Sequence, residues 1–129
     1  MARILIVEDD YALERVLLLT LAKRGHSVAE AGSMAEAFVM ETATEPPFDL
    51  IILDINLPDE TGWELLRRLR ATGRALPPVI VATAIRPPPD RIVEFAPAGV
   101  LVKPYPITTL LSLIDRLVKG EPITTGGDA

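Results

Sequence analysis

The chain has 129 residues, 49% hydrophobic and 24% charged, a length and composition that predict one globular domain and exclude a disordered chain. The lack of cysteine excludes disulfides and thiolate chemistry, and the net charge of −5 argues against direct nucleic acid binding. No apolar run approaches the roughly 20 residues of a membrane span, so we expect a cytoplasmic protein with no membrane contact.

The strand signals are short apolar runs, and helical patterns separate them. In chain order, strands are predicted at residues 4–7, 27–31, 50–53, 79–82 and 100–102. Four of these runs are continuously apolar, which is typical of strands buried on both faces of a parallel sheet, whereas 27–31 mixes polar and apolar residues and predicts an edge strand. The strand–helix alternation predicts an α/β fold with helices on both faces.

Local signals predict where the helices begin and end. Asp10 is suited to cap the first helix and Gly25 to end it. The patterns at 33–36 (SMAE) and 61–64 (TGWE) are capping boxes, which predict the starts of the second and third helices. Pro106 suits the first position of the fifth helix.

Two segments depart from this regularity. The prolines at 87–89 cannot be helical throughout, so we expect a shortened fourth helix at about 90–96, before Pro97. Residues 120–129 are rich in Gly and Thr and lack apolar periodicity. We therefore expect one domain over 1–119 and a flexible tail or linker start over 120–129.

Polar side chains follow the predicted buried strands, at the edge where parallel α/β sheets bind ligands. These residues are Glu8, Asp9, Asp10, Asp54, Thr83 and Lys103. Clustered carboxylates repel, and a proton, Lys103 or a divalent cation must offset the repulsion. An all-oxygen cluster with few ligands favours Mg²⁺, beside which a carboxylate such as Asp54 can attack phosphorus. Lys103 and the Thr83 hydroxyl are suited to bind oxygens of the transferring group.

The chain closely resembles the receiver domain of two-component response regulators. The resemblance is carried by residues 4–10 (ILIVEDD), 53–62 (LDINLPDETG), 81–84 (VATA) and 102–105 (VKPY), in order and each at a predicted strand end. It covers residues 3 to about 119. It implies a doubly wound, flavodoxin-like fold with a five-stranded parallel sheet in the order 2-1-3-4-5.

The resemblance also implies roles for the residues at the sheet edge. Asp54 would accept the phosphoryl group, Lys103 would pair with it, and Thr83 would move toward it. Four residues would bind Mg²⁺: Asp9 and Asp54 directly, Asn56 through its backbone carbonyl, and Glu8 through a metal-bound water. The Lys103–Pro104 bond is expected to be cis, as is usual in this family.

The resemblance further implies partners. The phosphoryl donor would be a sensor histidine kinase or a histidine phosphotransfer protein, and the output partner is unassigned. The face from the fourth to the fifth helix is one through which many receivers form homodimers. Such a domain catalyses its own phosphorylation and dephosphorylation without turning over an external substrate.

Two departures from the family pattern leave an alternative function open. Val100 stands where receivers usually carry Tyr or Phe, three positions before the lysine, and the prolines at 87–89 stiffen the same face. A non-switching receiver that acts as a constitutive interaction module is therefore the alternative. A phosphatase is disfavoured because Asn56, two positions after Asp54, cannot protonate a leaving group. Ile85, where some receivers have a polar residue, predicts a long-lived aspartyl phosphate.

Overall fold

The computed structural model describes residues 2–43 and 47–119, and these form five strands that alternate with five helices. The strands are β1 (Arg3–Val7), β2 (Ser27–Ala31), β3 (Leu50–Asp54), β4 (Val79–Thr83) and β5 (Gly99–Val102). The helices are α1 (Tyr11–Lys23), α2 (Met34–Ala43), α3 (Gly62–Ala71), α4 (Pro89–Phe95) and α5 (Ile107–Val118). The strands are parallel in the order β2-β1-β3-β4-β5, which confirms the predicted fold class.

The central strands carry apolar side chains on both faces because helices cover both sides of the sheet. In β1, Leu5 and Val7 pack into one core, whereas Ile4 and Ile6 pack into the other. The first core lies under α2, α3 and α4, and the second lies under α1 and α5. This period-two division explains why the strand signals are continuous apolar runs and not alternating ones.

Side-chain caps begin three of the helices. Asp10 accepts a hydrogen bond from the Leu13 N–H at 3.1 Å at the start of α1. Ser33 accepts from the Glu36 N–H at 3.1 Å, and the Glu36 carboxylate in turn accepts from the Gly32 N–H at 2.8 Å. The contacts of Asp10 and Ser33 satisfy backbone donors of the first helical turn, as the sequence predicts. The capping box at 33–36 differs in one contact, because Glu36 binds the N–H of Gly32 and not that of the cap residue Ser33.

The capping box at 61–64 forms only in part. Thr61 accepts from the Glu64 N–H at 3.3 Å, but the Glu64 carboxylate pairs with Arg67. A neighbouring arginine, one turn along α3, thus competes for the carboxylate. The helix begins at the predicted place all the same, since the threonine contact is sufficient to cap it.

Helix α4 is short, as predicted, and occupies Pro89–Phe95. It ends at Ala96, which has a left-handed backbone (φ 45°) directly before Pro97. Pro106 precedes α5 as its N-cap and is not its first helical residue, a correction of one position.

The predicted tail over residues 120–129 lies outside the described part of the chain. Within the described residues, no helix is long and apolar enough to cross a bilayer.

Candidate functional site

The candidate site lies at the carboxyl edge of the sheet, where the fold brings together residues far apart in sequence. Strand β1 ends immediately before Glu8, β3 ends at Asp54, β4 ends at Thr83, and β5 ends immediately before Lys103. Registers of the parallel ladders place Asp54 opposite Ala82 and Thr83 opposite Val102. The edge therefore presents acidic, hydroxyl and ammonium groups side by side.

Lys103 joins the two buried carboxylates of the site. Its Nζ donates to Glu8 Oε1 at 2.7 Å and to Asp54 Oδ2 at 3.0 Å. Glu8 and Asp54 are 4% and 6% exposed, so these charge-assisted bonds lie largely out of water, where they are stronger than on the surface. The Lys103 N–H donates to the Thr83 carbonyl at 2.8 Å, and the Lys103–Pro104 bond is cis, as predicted.

Glu8 is held at both carboxylate oxygens. While Oε1 accepts from Lys103, Oε2 accepts from the backbone N–H groups of Asp9 and Asp10, each at 3.1 Å. Burial raises the pKa of Glu8 above its usual range, although the bonds from Lys103 and Asp10 work in the opposite direction. The loop after β1 thus folds around this carboxylate and fixes its direction.

Lys103 stays positively charged at neutral pH. Burial works to lower its pKa, but hydrogen bonds and attraction from Glu8 and Asp54 outweigh burial and raise the pKa. The ammonium group therefore remains available to neutralise negative charge at the sheet edge.

The acidic residues form a cluster suited to a hard divalent cation. One carboxylate oxygen from each of Glu8, Asp9 and Asp54 lies within 4.8 Å of the others. The donors are all oxygens, and Asp9 is exposed, so an ion there would keep part of its water shell. This donor set fits Mg²⁺ in chemistry, since Mg²⁺ binds through one or two carboxylates and retains waters.

Asn56 connects the acid of β3 to the hydroxyl of β4. Its backbone N–H donates to Asp54 Oδ1 at 3.0 Å, and its side-chain amide Nδ2 donates to Thr83 Oγ1 at 3.1 Å. Thr83 is 1% exposed. Sequence reasoning placed only the backbone carbonyl of Asn56 at the site. It missed the contact of the Asn56 side chain with Thr83, a contact that depends on how close β3 and β4 lie.

Comparison with known proteins identifies the family. The response regulator receiver domain matches residues 4–115, most of the chain. The chain belongs to this family. The receiver is 36% identical over 130 residues to the KDP operon transcriptional regulatory protein KdpE of Escherichia coli, a match that covers 99% of this chain and 56% of KdpE. The receiver spans about half the length of the curated relatives it matches.

Solved structures give the same result. Chemotaxis protein CheY4 of Vibrio cholerae superposes with a TM-score of 0.80 at 29% identity, over 91% of this chain and 98% of that one. The response regulator TrrA of Thermotoga maritima, in complex with Mg(2+)-BeF, superposes with a TM-score of 0.77 at 26% identity, over 91% and 99%. Receiver domains bind Mg²⁺ at an acidic pocket, and Glu8, Asp9 and Asp54 form such a cluster here.

Beside the acidic pocket of the receiver lies a second acid pair that sequence reasoning missed. Glu14 on α1 and Glu30 on β2 are both partly buried. Burial and the hydrogen bond with Glu30 raise the pKa of Glu14 to about 7. The pair is formed by a helix and a strand packing together, and neither residue carries a motif that would have singled it out.

Tyr105 is a further residue near the site. Its hydroxyl is buried, and within the described part of the chain it has no hydrogen-bond partner. Burial raises the pKa of Tyr105, and the charges of Lys103, Glu8 and Asp54 act on it. The phenol therefore stays protonated beside the acidic pocket.

The face next to α4 carries Val100 and Ile85, the two apolar residues at which the sequence departs from many receivers. Val100 is partly buried against the core under α3 and α4, and Ile85 is 74% exposed in the loop before α4. Trp63 of α3 stacks on Phe95 of α4, with ring centroids 5.2 Å apart. The large aromatic contact on this side of the receiver is thus between two helices and does not involve β5.

Proposed function

We propose that this receiver takes a phosphoryl group from a phosphohistidine onto Asp54, and that the phosphorylated form binds its partners differently. The observation that carries the proposal is the convergence of Glu8, Asp9 and Asp54 at one edge of the sheet, with Lys103 bound to Glu8 and Asp54. Nothing in a packed α/β core requires three carboxylates at one edge, and a proton, Lys103 or a cationic ligand must offset their mutual repulsion. The donor would be a sensor histidine kinase or a histidine phosphotransfer protein.

In the transfer step, a carboxylate oxygen of Asp54 attacks phosphorus while the bond from phosphorus to the imidazole nitrogen breaks. The electron pair of that bond stays with the imidazole, and the acyl phosphate forms on Asp54. Lys103 already donates to Asp54 Oδ2, so its ammonium lies where negative charge gathers on the phosphoryl oxygens. Hydrolysis of the acyl phosphate returns inorganic phosphate and the free carboxylate.

Four residues would hold Mg²⁺ in this proposal: Asp9 and Asp54 directly, Asn56 through its carbonyl, and Glu8 through a bound water. When bound, the ion supplies positive charge that neutralises the phosphoryl oxygens. Glu8 keeps Lys103 directed at Asp54 through the 2.7 Å bond to its Nζ. Thr83, at the end of the neighbouring strand, presents a hydroxyl that can donate to a phosphoryl oxygen.

The test is intact-mass spectrometry after incubation with a small phosphodonor and Mg²⁺. We expect the mass of one added phosphoryl group, its removal by hydroxylamine, and no addition when EDTA is present. Asp54→Asn should abolish the addition, whereas Asp115→Asn, on the exposed surface of α5, should leave it intact. Modification that persists in Asp54→Asn and disappears in another variant would refute the assignment.

The alternative, a constitutive interaction module, is favoured by Val100 and by the prolines at 87–89, because both lie on the face that would report phosphorylation. Trp63 distinguishes the two functions, since it is 8% exposed and stacks on Phe95 of α4. A switching receiver should change its Trp63 fluorescence or oligomeric state when beryllofluoride and Mg²⁺ bind. A module should bind them without either change. Analytical ultracentrifugation of the same samples tests the homodimer.

Two further expectations concern the extent of the domain and its binding to nucleic acid. We propose that the receiver domain comprises residues 1–119. The absence of direct nucleic acid binding is proposed on the net charge of −5. An electrophoretic mobility assay of the phosphorylated and unphosphorylated chain at low salt tests the second, because a basic footprint would bind non-specifically under those conditions.

A further inference from the structure

The environment of Thr83 restricts how its hydroxyl can move. The backbone of Thr83 is fixed to β5, by its pairing with Val102 and by the 2.8 Å bond from the Lys103 N–H to its carbonyl. The side chain is buried, with 1% exposure. A change in the position of the hydroxyl must therefore come mainly from rotation about χ1, which for threonine has few allowed positions.

One contact favours a particular χ1 position. The Asn56 amide donates to Thr83 Oγ1 at 3.1 Å, whereas the only other donor to this oxygen among the described residues, the Ile85 N–H, lies at 3.5 Å. Bonds of 3.5 Å are at the limit of hydrogen bonding and contribute little. The Asn56 amide is thus the main polar contact of the Thr83 hydroxyl oxygen.

Asn56 is itself tied to Asp54. Its N–H donates to Asp54 Oδ1 at 3.0 Å, and its backbone pairs with Thr61 in an isolated antiparallel bridge. These contacts fix the backbone of Asn56 next to the acid while its side chain reaches across to β4. The residue therefore contacts the proposed phosphoacceptor with its main chain and the hydroxyl of β4 with its amide.

We infer that Asn56 is a positioning residue whose amide holds the Thr83 hydroxyl away from Asp54 in the unphosphorylated receiver and gives up this bond when a phosphoryl group occupies Asp54. The inference rests on the proposed function and deepens it. Since the Asn56–Thr83 bond exists only before the change, it stabilises the resting conformation and opposes activation. Removing it should shift the equilibrium toward the conformation that binds the phosphoryl group.

The expected size follows from the chemistry of the bond. A neutral amide–hydroxyl bond contributes about 0.5–1.5 kcal/mol net, which corresponds to a change of about twofold to tenfold in an equilibrium constant. Asn56 is exposed, so water can replace its partner at little cost, whereas the buried Thr83 oxygen has no such replacement. Loss of the Asn56–Thr83 bond should therefore change the conformation of the Thr83 side chain.

The experiment is a double-mutant cycle on beryllofluoride binding in the presence of Mg²⁺, with the intact chain and Trp63 fluorescence or calorimetry as the readout. Asn56→Leu keeps the approximate size of the side chain but removes the amide. We expect it to bind beryllofluoride about twofold to tenfold more tightly than the wild type. In a Thr83→Ala background the same substitution should have no effect, because the bond is already absent.

A second measurement does not depend on any ligand. In the Mg²⁺-free protein, the methyl chemical shift and three-bond couplings of Thr83 report its χ1 distribution by NMR. The wild type should populate one rotamer, and both Asn56→Leu and Asn56→Ala should show averaging. Agreement between the two variants separates loss of the hydrogen bond from a change of packing volume.

The outcomes are distinct. The inference would be overturned if Asn56→Leu bound beryllofluoride as tightly as the wild type or more weakly. It would also be overturned if the substitution tightened binding equally in the Thr83→Ala background, or if the Asn56 variants left the Thr83 rotamer unchanged. Each of these results would leave the proposed function intact. A wild-type protein that does not bind beryllofluoride with Mg²⁺ would instead refute the proposed function.

Discussion

Replacing Lys103 by methionine tests the electrostatic account of the site most directly. Lys103→Met leaves the apolar stem in place and removes the only cation that contacts Glu8 and Asp54 among the described residues. Two of the three carboxylates whose oxygens lie within 4.8 Å of one another then lose this partner. Each ionised pair at that distance repels by about 3.5 kcal/mol at an effective dielectric of 20.

The expected loss of stability is smaller than the sum of these repulsions. Removing one partner of a buried ion pair costs about 3–5 kcal/mol, and the 22% exposure of the Lys103 side chain favours the lower end, about 3 kcal/mol. For a domain of this size that corresponds to a fall in Tm of about 12 °C. The same substitution at Lys23, at the exposed end of α1, is the control and should change Tm little.

The pH dependence has a definite sign. Burial raises the pKa of Glu8 in the folded state, and loss of Lys103 should raise it further. A carboxyl whose folded pKa is raised stabilises the fold below its unfolded pKa and loses that contribution as pH rises through the folded pKa. The gap in stability between wild type and Lys103→Met should therefore be larger at pH 7.5 than at pH 5.

Urea unfolding followed by circular dichroism, with EDTA and then with saturating Mg²⁺, measures these quantities. We expect Mg²⁺ to stabilise Lys103→Met more than the wild type, because the ion replaces the missing positive charge. If Lys103→Met were as stable as the wild type in EDTA at pH 7.5, or if its deficit grew on acidification, the account of the site as a charge cluster neutralised by Lys103 would be wrong.

Three further predictions concern neighbouring features. Ile85→Glu should shorten the lifetime of the aspartyl phosphate, measured as phosphate release, and an equal or longer lifetime would contradict the prediction that the apolar Ile85 makes this phosphate long-lived. Glu14 has a pKa of about 7, so its protonated form stabilises the fold and this contribution is lost as pH rises from 4.5 to about 7. Glu14→Gln should therefore raise the free energy of unfolding at pH 8 by about 1 kcal/mol, a value discounted for solvent screening. At pH 4 the substitution should give no gain. Gly62→Ala would place a Cβ 2.7 Å from Ile55 Cδ1 and 3.1 Å from Ile55 Cα. We expect it to lower the free energy of unfolding, measured by chemical denaturation, by about 1–3 kcal/mol. Gly32→Ala, whose Cβ would meet no atom within 4 Å, is the control and should cost less than half of that.

Much of the fold could be read from local patterns. The buried strands are apolar runs because both faces are covered, and the helix starts at Asp10, Ser33 and Thr61 follow from side chains that satisfy backbone donors within three residues. Each of these signals acts over a few positions, so a single sequence contains it entirely. The order of strands came from the family resemblance, since apolar runs alone do not say which strand lies beside which.

The residues of the site were predictable for a related reason. In a parallel sheet every carboxyl end meets the same edge, so Glu8, Asp54 and Thr83 had to lie near one another once the strands were assigned. Their proximity is a consequence of topology, and no knowledge of side-chain conformation is needed to infer it.

What the sequence by itself determined is therefore the set of elements, the two faces of the sheet and the composition of its ligand edge. Only the tertiary structure decided which side chains pair there: that Lys103 binds Glu8 as well as Asp54, that the Asn56 amide reaches Thr83, and that Glu64 pairs with Arg67 and not with its own helix start. The physical reason is the separation along the chain over which each interaction acts. Burial patterns and caps are set by neighbours along the chain, whereas a polar side chain selects among several partners of similar energy according to the packing of strands and helices that are distant in sequence.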